Sequence, residues 1–194
     1  MEDHIVRSFK ESMQLKEAFL NENLLKIVEV VEAITAALKR GNKILLFGNG
    51  GSAADAQHLA AEFVNRFVIE RPPLAAIALS TDTSVITSVA NDYDFTEIFS
   101  KQVKALGQEN DIAWGISTSG QSPNVLKALE TAKKMGLITV GLTGRDGGAM
   151  GPMVDYWLNV PSNSTPRIQE VHITVGHVIC EMVDYNLFQR PALK

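Results

Sequence analysis

Residues 3–40 carry apolar side chains at the spacing of an amphipathic helix. The apolar residues recur every three or four positions from Ile5 to Leu38, with polar residues between them. The polar stretch 21–23, which reads NEN, interrupts this pattern and predicts two helices rather than one. Gly41-Asn42 follows the second helix, and a glycine commonly ends a helix. The N-terminal segment is therefore predicted to be a helix pair.

Beyond residue 42 the pattern changes, and short apolar runs bounded by turn residues alternate with longer segments of helical periodicity. Strands that are apolar throughout and alternate with helices indicate a parallel sheet covered on both faces. The predicted strands are 43–48, 74–80, 111–118, 138–144 and 155–161. The predicted helices are 52–68, 83–91, 95–106, 122–135 and 166–188. The chain is thus predicted to be one α/β domain that spans residues 1–194.

Length, charge and cysteine content narrow the class of protein. A length of 194 residues corresponds to one domain, and a net charge of −4 does not favour binding to nucleic acid. The single cysteine, Cys180, cannot form an internal disulfide, so a reducing compartment is expected. The sequence contains neither a recognisable signal peptide nor an apolar run of about 18–20 residues, the length of a membrane span. We therefore expect a cytoplasmic protein that binds neither nucleic acid nor membrane.

Glycines and small polar residues follow three of the predicted strands. They form the segments GNGGSAAD at 48–55, STSGQSPN at 117–124 and TGRDGG at 143–148. Because the ligands of an open parallel sheet bind beyond the carboxyl ends of its strands, these loops are candidates for a binding site. Glycines allow the backbone to approach a ligand, and helix N-termini offer free N–H groups. The clustered hydroxyls of 117–122 suit a phosphate on a small molecule.

An alternative interpretation is that these loops are ordinary turns between strand and helix, with Ser52 and Ser122 as helix caps. The loops also lack the spacings of nucleotide-binding motifs, both G-x-x-x-x-G-K-[ST] and G-x-G-x-x-G. A dinucleotide or a nucleoside triphosphate is therefore disfavoured as the ligand.

Two predicted helices carry pairs of polar side chains among apolar neighbours. His58 and Glu62 lie four residues apart and so share one helix face, which is predicted to be largely buried. Gln169 and His177 lie eight residues apart on the last helix, about 80° from each other around its axis. These groups could bind a metal or transfer protons, or they could be ordinary core or surface residues. His177 is expected to be more buried than His172, which could be a surface, interface or substrate-contacting residue.

Five segments spread over nearly the whole chain carry a more specific pattern: GNGGSAADAQHLAAEF, ANDYDF, ISTSGQSPNVLKA, LTGRDGG and RIQEVHITVGH. Together they resemble the phosphoheptose isomerase family of the sugar-isomerase (SIS) superfamily. The resemblance implies an open five-stranded parallel SIS sheet with helices on both faces, formed by residues 41–190, and N-terminal helices in residues 1–40 that serve in oligomerisation. It also implies a homotetramer that converts sedoheptulose 7-phosphate to D-glycero-D-manno-heptose 7-phosphate, toward ADP-heptose and the lipopolysaccharide core.

The resemblance further implies a zinc ion, Zn²⁺, in the active site, with ligands that match His58, Glu62, Gln169 and His177. The matching substrate-binding positions are Asn49, Gly50, Gly51, Ser52, Asn91, Asp92, Ser117, Thr118, Ser119, Ser122 and Gln169. For an aldose–ketose interconversion through an enediol, Glu62 is predicted as the base and His177 as the acid. A zinc-bound carboxylate is a weaker base, so the sequence leaves open whether Glu62 has both roles in the same step.

A non-catalytic SIS protein that associates with the replication initiator DnaA is the alternative. The segments NRFVIERPPLAAIALSTDTSV and CEMVDYNLF resemble that protein, which also forms a tetramer. Its pattern lacks the glutamate and the second histidine, whereas this chain has both Glu62 and His177. An acidic side chain on a buried helix face is costly without a function, which favours the enzyme. A SIS-type regulator or a different phosphosugar isomerase is a third possibility.

Overall fold

Strands and helices alternate along residues 1–189, which are the residues that this computed structural model describes. Residue 190, the last of the predicted core range 41–190, lies outside the described residues. The strands are β1 (Ile44–Gly48), β2 (Ala76–Ala78), β3 (Ile112–Ser117), β4 (Ile138–Gly144) and β5 (Tyr156–Val160). The α-helices are α1 (Glu2–Lys39), α2 (Gly51–Val64), α3 (Thr83–Asp92), α4 (Ile98–Leu106), α5 (Pro123–Lys134) and α6 (Thr165–Asp184).

The strands form one parallel sheet in the order β2-β1-β3-β4-β5. Strands β1 and β3 are buried at every position, as the wholly apolar runs predict. Alternate strand residues point to opposite faces, so Leu46 packs into a core with α1, α2 and α6, and Leu45 into a core with α4 and α5. The predicted open five-stranded parallel sheet with helices on both faces is confirmed.

The N-terminal segment is one continuous helix, α1, and the predicted helix pair is wrong. Buried positions continue across the stretch 21–23 at helical spacing, from Phe19 to Asn23 and Ile27. The side-chain amide of Asn23 donates a hydrogen bond to the Phe19 carbonyl one turn earlier, at 2.9 Å. Because this polar group is satisfied inside the helix, and the other two residues of the stretch are exposed, the helix does not need to break.

The remaining predicted elements occur, with some changed ends. Strand β2 is shorter than the predicted strand 74–80, and α2 ends at Val64 instead of residue 68. The predicted helix 95–106 begins with a 3-10 turn at Phe95–Glu97, and α6 passes into a π-helical turn at Tyr185–Gln189. Within residues 1–189, no helix combines the length and the apolar character that crossing a membrane requires.

Candidate active site

The loop from β1 to α2 is shaped by its glycines. A Cβ on Gly48 would lie 2.8 Å from the carbonyl oxygen of Ile116 in the neighbouring strand β3, so only a glycine fits there. Gly50 has a φ of +56°, a left-handed conformation that favours glycine. Helix α2 begins at Gly51, so its first turn, the positive end of the helix dipole, starts at the carboxyl edge of the sheet.

A reciprocal pair of amide hydrogen bonds joins this glycine loop to the loop after β3. Asn49 Nδ2 donates to Asn124 Oδ1 at 2.9 Å, and Asn124 Nδ2 donates to Asn49 Oδ1 at 2.8 Å. Asn124 Oδ1 also accepts a hydrogen bond from the Val125 backbone N–H in the first turn of α5. The starts of α2 and α5 are therefore held side by side, as a shared ligand site requires.

The hydroxyls after β3 cluster with one another. Ser117 Oγ lies 2.9 Å from Ser122 Oγ and 3.4 Å from Ser119 Oγ, which in turn accepts the Gln121 N–H. Ser122 occupies the N-cap position of α5, but its hydroxyl makes no capping hydrogen bond. Ser52 lies inside α2 and is not its cap. The interpretation as a helix cap is therefore wrong for Ser52, whereas Ser122 is the N-cap residue of α5 but leaves its hydroxyl to the serine cluster. This cluster stands at a helix N-terminus, where an anion can bind.

Two of the predicted substrate-binding groups stand at different places around these loops. The side chain of Gln169, on α6, lies so near the start of α2 that a Cβ on Gly51 would overlap its Nε2. Asn91 and Asp92 lie exposed at the end of α3, where Asn91 Nδ2 donates to Asp92 Oδ1 at 2.8 Å. Among residues 1–189, no side-chain hydrogen bond joins Asn91 or Asp92 to the loops after β1 and β3.

His58, Glu62 and His177 meet at the contact between α2 and α6. His58 Nε2 lies 2.7 Å from His177 Nε2 and 3.5 Å from Glu62 Oε1, and one ligand atom from each side chain lies within 4.8 Å of the others. The two imidazole rings pack edge to face, and the Phe67 ring covers His177 with 5.4 Å between ring centroids. The structure thus brings together three of the four predicted metal ligands. Gln169 lies two turns before His177 on α6, about 12 Å along the helix axis.

The face of α2 that carries this cluster is less buried than expected. The His58 side chain is 46% exposed and that of Glu62 is 21% exposed. Helix α2 buries Leu59 and Phe63 against the sheet and α6, which leaves His58 and Glu62 on the flank of the helix. The prediction of a largely buried pair is therefore wrong for His58, and the cluster is open to solvent and to ligands.

Burial and charge favour a neutral imidazole at His177. Loss of hydration lowers the pKa of His177 below its usual value, the neighbouring His58 lowers it further, and the Glu62 carboxylate opposes both effects. A neutral imidazole can offer a nitrogen lone pair to a metal ion or to a hydrogen-bond donor. His177 is therefore in the protonation state that a metal ligand requires.

His172 is the fully buried histidine of α6, contrary to the expectation that His177 would be more buried. It is 1% exposed, and its Nε2 donates a hydrogen bond to the Thr143 carbonyl at the end of β4, at 2.9 Å. Burial lowers the pKa of His172 to about 4. His172 therefore belongs to the packing of α6 on the sheet and not to the His58–Glu62–His177 cluster.

The donor set of the cluster fits a zinc ion. Two imidazole nitrogens and one carboxylate oxygen are ligands that zinc prefers, and catalytic zinc sites commonly use three protein ligands. The partial exposure of His58 leaves room for a substrate or water ligand. These three side chains could therefore hold the metal that the sequence resemblance implies.

Three residues near the site were not found from the sequence. Asp55 lies one turn before His58 on α2, and burial raises its pKa to about 6, against the opposing effect of His58. The D-x-x-H spacing is a usable signal, because a carboxylate one turn away commonly orients a metal-binding histidine. Asn124 is the last residue of the predicted loop after β3, but its side-chain amide is not among the predicted contacts. Arg71 carries no local signal, because it lies outside the quoted motifs and its side chain bonds to backbone carbonyls of α2 and to Asp184, 113 residues away.

Comparison with known proteins places the chain among SIS proteins. The sequence profile of the SIS domain matches residues 8–144. Phosphoheptose isomerase from Thermodesulfovibrio yellowstonii is 57% identical over 194 residues, which are 100% of this chain and 96% of that protein. Phosphoheptose isomerase 2 from Campylobacter jejuni is 50% identical over 190 residues, 97% of this chain and 94% of that protein.

Solved structures of phosphoheptose isomerases share the fold. The Neisseria gonorrhoeae protein superposes with a TM-score of 0.89 at 44% identity, covering 94% of this chain and 98% of that one. The Francisella tularensis protein superposes with a TM-score of 0.90 at 42% identity, covering 94% of this chain and 97% of that one. The chain therefore belongs to the phosphoheptose isomerase family of SIS-domain enzymes.

Proposed function

We propose that the chain converts sedoheptulose 7-phosphate to D-glycero-D-manno-heptose 7-phosphate through an enediol, early in the formation of ADP-heptose and the lipopolysaccharide core. The observation that carries this proposal is the meeting of Glu62, His58 and His177 within 4.8 Å, from two helices that start or pass at the carboxyl edge of the sheet. An aldose–ketose isomerase needs a general base and a general acid close together. The base removes a proton from the carbon beside the carbonyl, and the acid donates a proton to the carbonyl oxygen. The family membership supports the same chemistry.

The phosphate of the substrate is assigned to the loop after β3. The hydroxyls of Ser117, Ser119 and Ser122 gather there at the N-terminus of α5, which is the positive end of the helix dipole. The other proposed substrate contacts come from the loop after β1, the end of α3, the loop after β3 and the start of α6: Asn49, Gly50, Gly51, Ser52, Asn91, Asp92, Thr118 and Gln169.

The proposed reaction moves a proton between neighbouring carbons. The Glu62 carboxylate removes a proton from the hydroxymethyl carbon beside the ketone. His177, which first takes up a proton from solvent, donates that proton from its imidazolium form to the ketone oxygen, which yields the enediol. Glu62 then returns its proton to the former ketone carbon. The proton of the other enediol hydroxyl passes back to His177, and the new carbonyl is the aldehyde. Both residues end in their starting protonation states, so the cycle balances.

Zinc is the proposed cofactor, and His58, Glu62 and His177 are the side chains that would hold it. Gln169 remains a predicted fourth ligand. When bound, the ion would act as a Lewis acid that polarises the substrate carbonyl. Without the ion, the Nε2 atoms of His58 and His177 share a hydrogen bond at 2.7 Å, which keeps the two rings together.

A homotetramer in the cytoplasm completes the proposal. The single Cys180 is buried and unpaired, which agrees with a reducing compartment. Large apolar side chains of α1 are exposed in the single chain, among them Phe9 at 69% and Leu25 at 77%. An apolar groove of about 290 Å³ lies between α1 and α6 and is lined in α1 by Phe19, Leu20 and Ile27. A second copy of the chain is the proposed partner for this surface.

Replacement of the proposed base tests the function. Glu62→Gln keeps the size of the side chain but cannot accept the proton, so turnover of sedoheptulose 7-phosphate is expected to fall by a factor of about 10²–10⁴. Conversion is followed by NMR of the sugar phosphates, and circular dichroism checks the fold. Glu70→Gln is the matched control, because Glu70 is 87% exposed and outside the cluster. Wild-type turnover in the Glu62 variant would remove Glu62 from the role of base.

A further inference from the structure

A buried arginine outside the predicted site contacts both helices that carry the cluster. Arg71 lies in the segment between α2 and β2, and its side chain is 1% exposed. Its Nε donates to Asp184 Oδ1 at the end of α6, at 2.9 Å. Its Nη2 donates to the backbone carbonyl of Glu62 at 2.8 Å, and its Nη1 to that of Phe63 at 2.7 Å. One guanidinium therefore binds the backbone of the proposed base and the opposite helix at once.

The position of Asp184 along α6 relates this contact to the proposed acid. His177 and Asp184 lie seven residues apart, so they point within about 20° of each other, about 10 Å apart along the axis. The same face of α6 that presents His177 to the cluster thus presents Asp184 to Arg71. Helices α2 and α6 also touch at Gly176, where a Cβ would lie 2.7 Å from Leu59 Cδ2.

The contact has the chemistry of a helix C-terminal cap. The last carbonyls of a helix have no partner inside the helix and form the negative end of its dipole, so a cation is favourable there. Arg71 Nη1 also donates to the Asn65 carbonyl, at 3.2 Å. A lysine could not replace these interactions, because only the planar guanidinium fork directs several N–H groups at carbonyls and a carboxylate simultaneously.

We propose that Arg71 and Asp184 are positioning residues that set the separation between the Glu62 carboxylate and the His177 ring. The guanidinium fixes the backbone at Glu62, and the Asp184 carboxylate ties that guanidinium to α6. Neither residue is among the proposed substrate contacts or zinc ligands. The inference rests on the proposed function, in which Glu62 and His177 act on one substrate and bind one zinc ion.

Four variants and one control test this role. Arg71→Met and Asp184→Leu each break the ion pair, and the double variant replaces both charges by apolar groups, which commonly restores stability. Arg71→Lys keeps the charge but loses the fork. Asp111→Asn is the control: Asp111 is fully buried and binds Lys43 with 2.5 Å between Nζ and Oδ2. These two residues precede β3 and β1, at the amino ends of the strands and away from the cluster.

The readouts separate positioning from stability. For each single variant and the double variant we expect kcat to fall about tenfold or more and KM for sedoheptulose 7-phosphate to change less than about twofold. The zinc dissociation constant of the metal-free protein, measured by competition with a chromophoric chelator, is expected to rise about tenfold. The visible absorption spectrum of bound Co²⁺ is expected to change. Asp111→Asn is expected to lower the urea midpoint and to leave kcat, zinc affinity and the cobalt spectrum unchanged.

The double variant gives the decisive result. If it regains the wild-type urea midpoint while kcat and zinc affinity stay low, the positioning role is supported. If the double variant regains kcat and zinc affinity together with stability, the positioning role is overturned. A folded Arg71→Met protein with wild-type kcat and wild-type zinc affinity would overturn it as well. If the wild-type protein does not turn over sedoheptulose 7-phosphate, only the proposed function is contradicted. Zinc competition and the cobalt spectrum of the variants would still test the role of Arg71 and Asp184.

Discussion

At the residue scale, the two histidines of α6 differ because of what surrounds them. His172 is enclosed by the sheet and donates its Nε2 proton to the Thr143 carbonyl, and its buried Nδ1 has no hydrogen-bond partner in the part of the chain that the structure describes. His177 faces His58 and Glu62 at a partly exposed contact. Burial keeps His172 neutral within the packing of α6 on the sheet. Burial and the neighbouring His58 favour a neutral His177, which can offer its lone pair to a metal ion.

The burial of His172 makes stability depend on pH. Its pKa is about 4 in the folded chain and 6.5 as the reference value, so the unfolded chain binds more protons between these values. Stability from this group is therefore complete above pH 6.5 and is lost as the pH falls toward 4, by about 2 kcal/mol per chain between pH 7 and pH 5. Urea unfolding at fixed protein concentration should show this loss, and it should be absent in His172→Gln.

His4→Gln, in the exposed first turn of α1, controls for removal of a histidine as such. We compare the loss of unfolding free energy between pH 7 and pH 5 in His172→Gln and in the wild type. An equal loss in the two proteins would contradict the assignment of this pH dependence to His172.

At the element scale, the site depends on the close approach of α2 and α6. Gly176 allows this approach, because it leaves space for the Leu59 side chain. The contact stands beside the His58–His177 pair, which is one residue away on each helix. Packing of the two helices and alignment of the polar cluster are therefore coupled.

A methyl group at Gly176 should disturb this packing. The Cβ of Gly176→Ala would lie 2.7 and 2.8 Å from the two Leu59 Cδ atoms, so we expect a loss of about 1–3 kcal/mol in the free energy of unfolding. Urea titration measures this loss, and zinc affinity should fall with it. In a Leu59→Val background the added methyl group should cost less. An equal cost in both backgrounds would show that Leu59 is not the group displaced.

The sequence predicted the elements well because their signals are local. Apolar runs and helical periodicity identified the sheet, and glycines identified the loops at its carboxyl edge, where Gly50 does take a left-handed φ. The pattern failed where a tertiary contact or a satisfied polar group decides the outcome. Asn23 bonds inside α1 and does not break it, and Arg71 acts through Asp184, 113 residues away in the chain. Such pairs have no local pattern.

At the scale of the whole molecule, the single chain leaves one surface unpacked. Among residues 1–18 none is buried, although α1 is amphipathic over this range. A long helix with exposed apolar residues on one side needs a partner surface to be stable in water. This is the physical argument for the proposed tetramer.

Charges on this surface should dissociate the assembly. Phe9→Asp and Leu25→Asp each introduce a carboxylate on this surface. In the single chain, Phe9 is 69% exposed and Leu25 is 77% exposed. If the positions are buried between subunits, sedimentation velocity should show smaller species for both variants. Asn21→Asp, at an exposed polar position of the same helix, should leave the assembly unchanged. Unchanged tetramers in both apolar-to-Asp variants would exclude these residues from the interface.

Turnover of sedoheptulose 7-phosphate by the purified protein tests the central claim most directly. The protein is assayed as prepared, after chelation, and after zinc is added back. We expect formation of the heptose 7-phosphate, its loss on chelation and its recovery with zinc, because His58, Glu62 and His177 form one donor set. Turnover that is indifferent to chelation would contradict the role of zinc. No turnover from the folded, zinc-loaded protein would contradict the isomerase and favour the non-catalytic alternative.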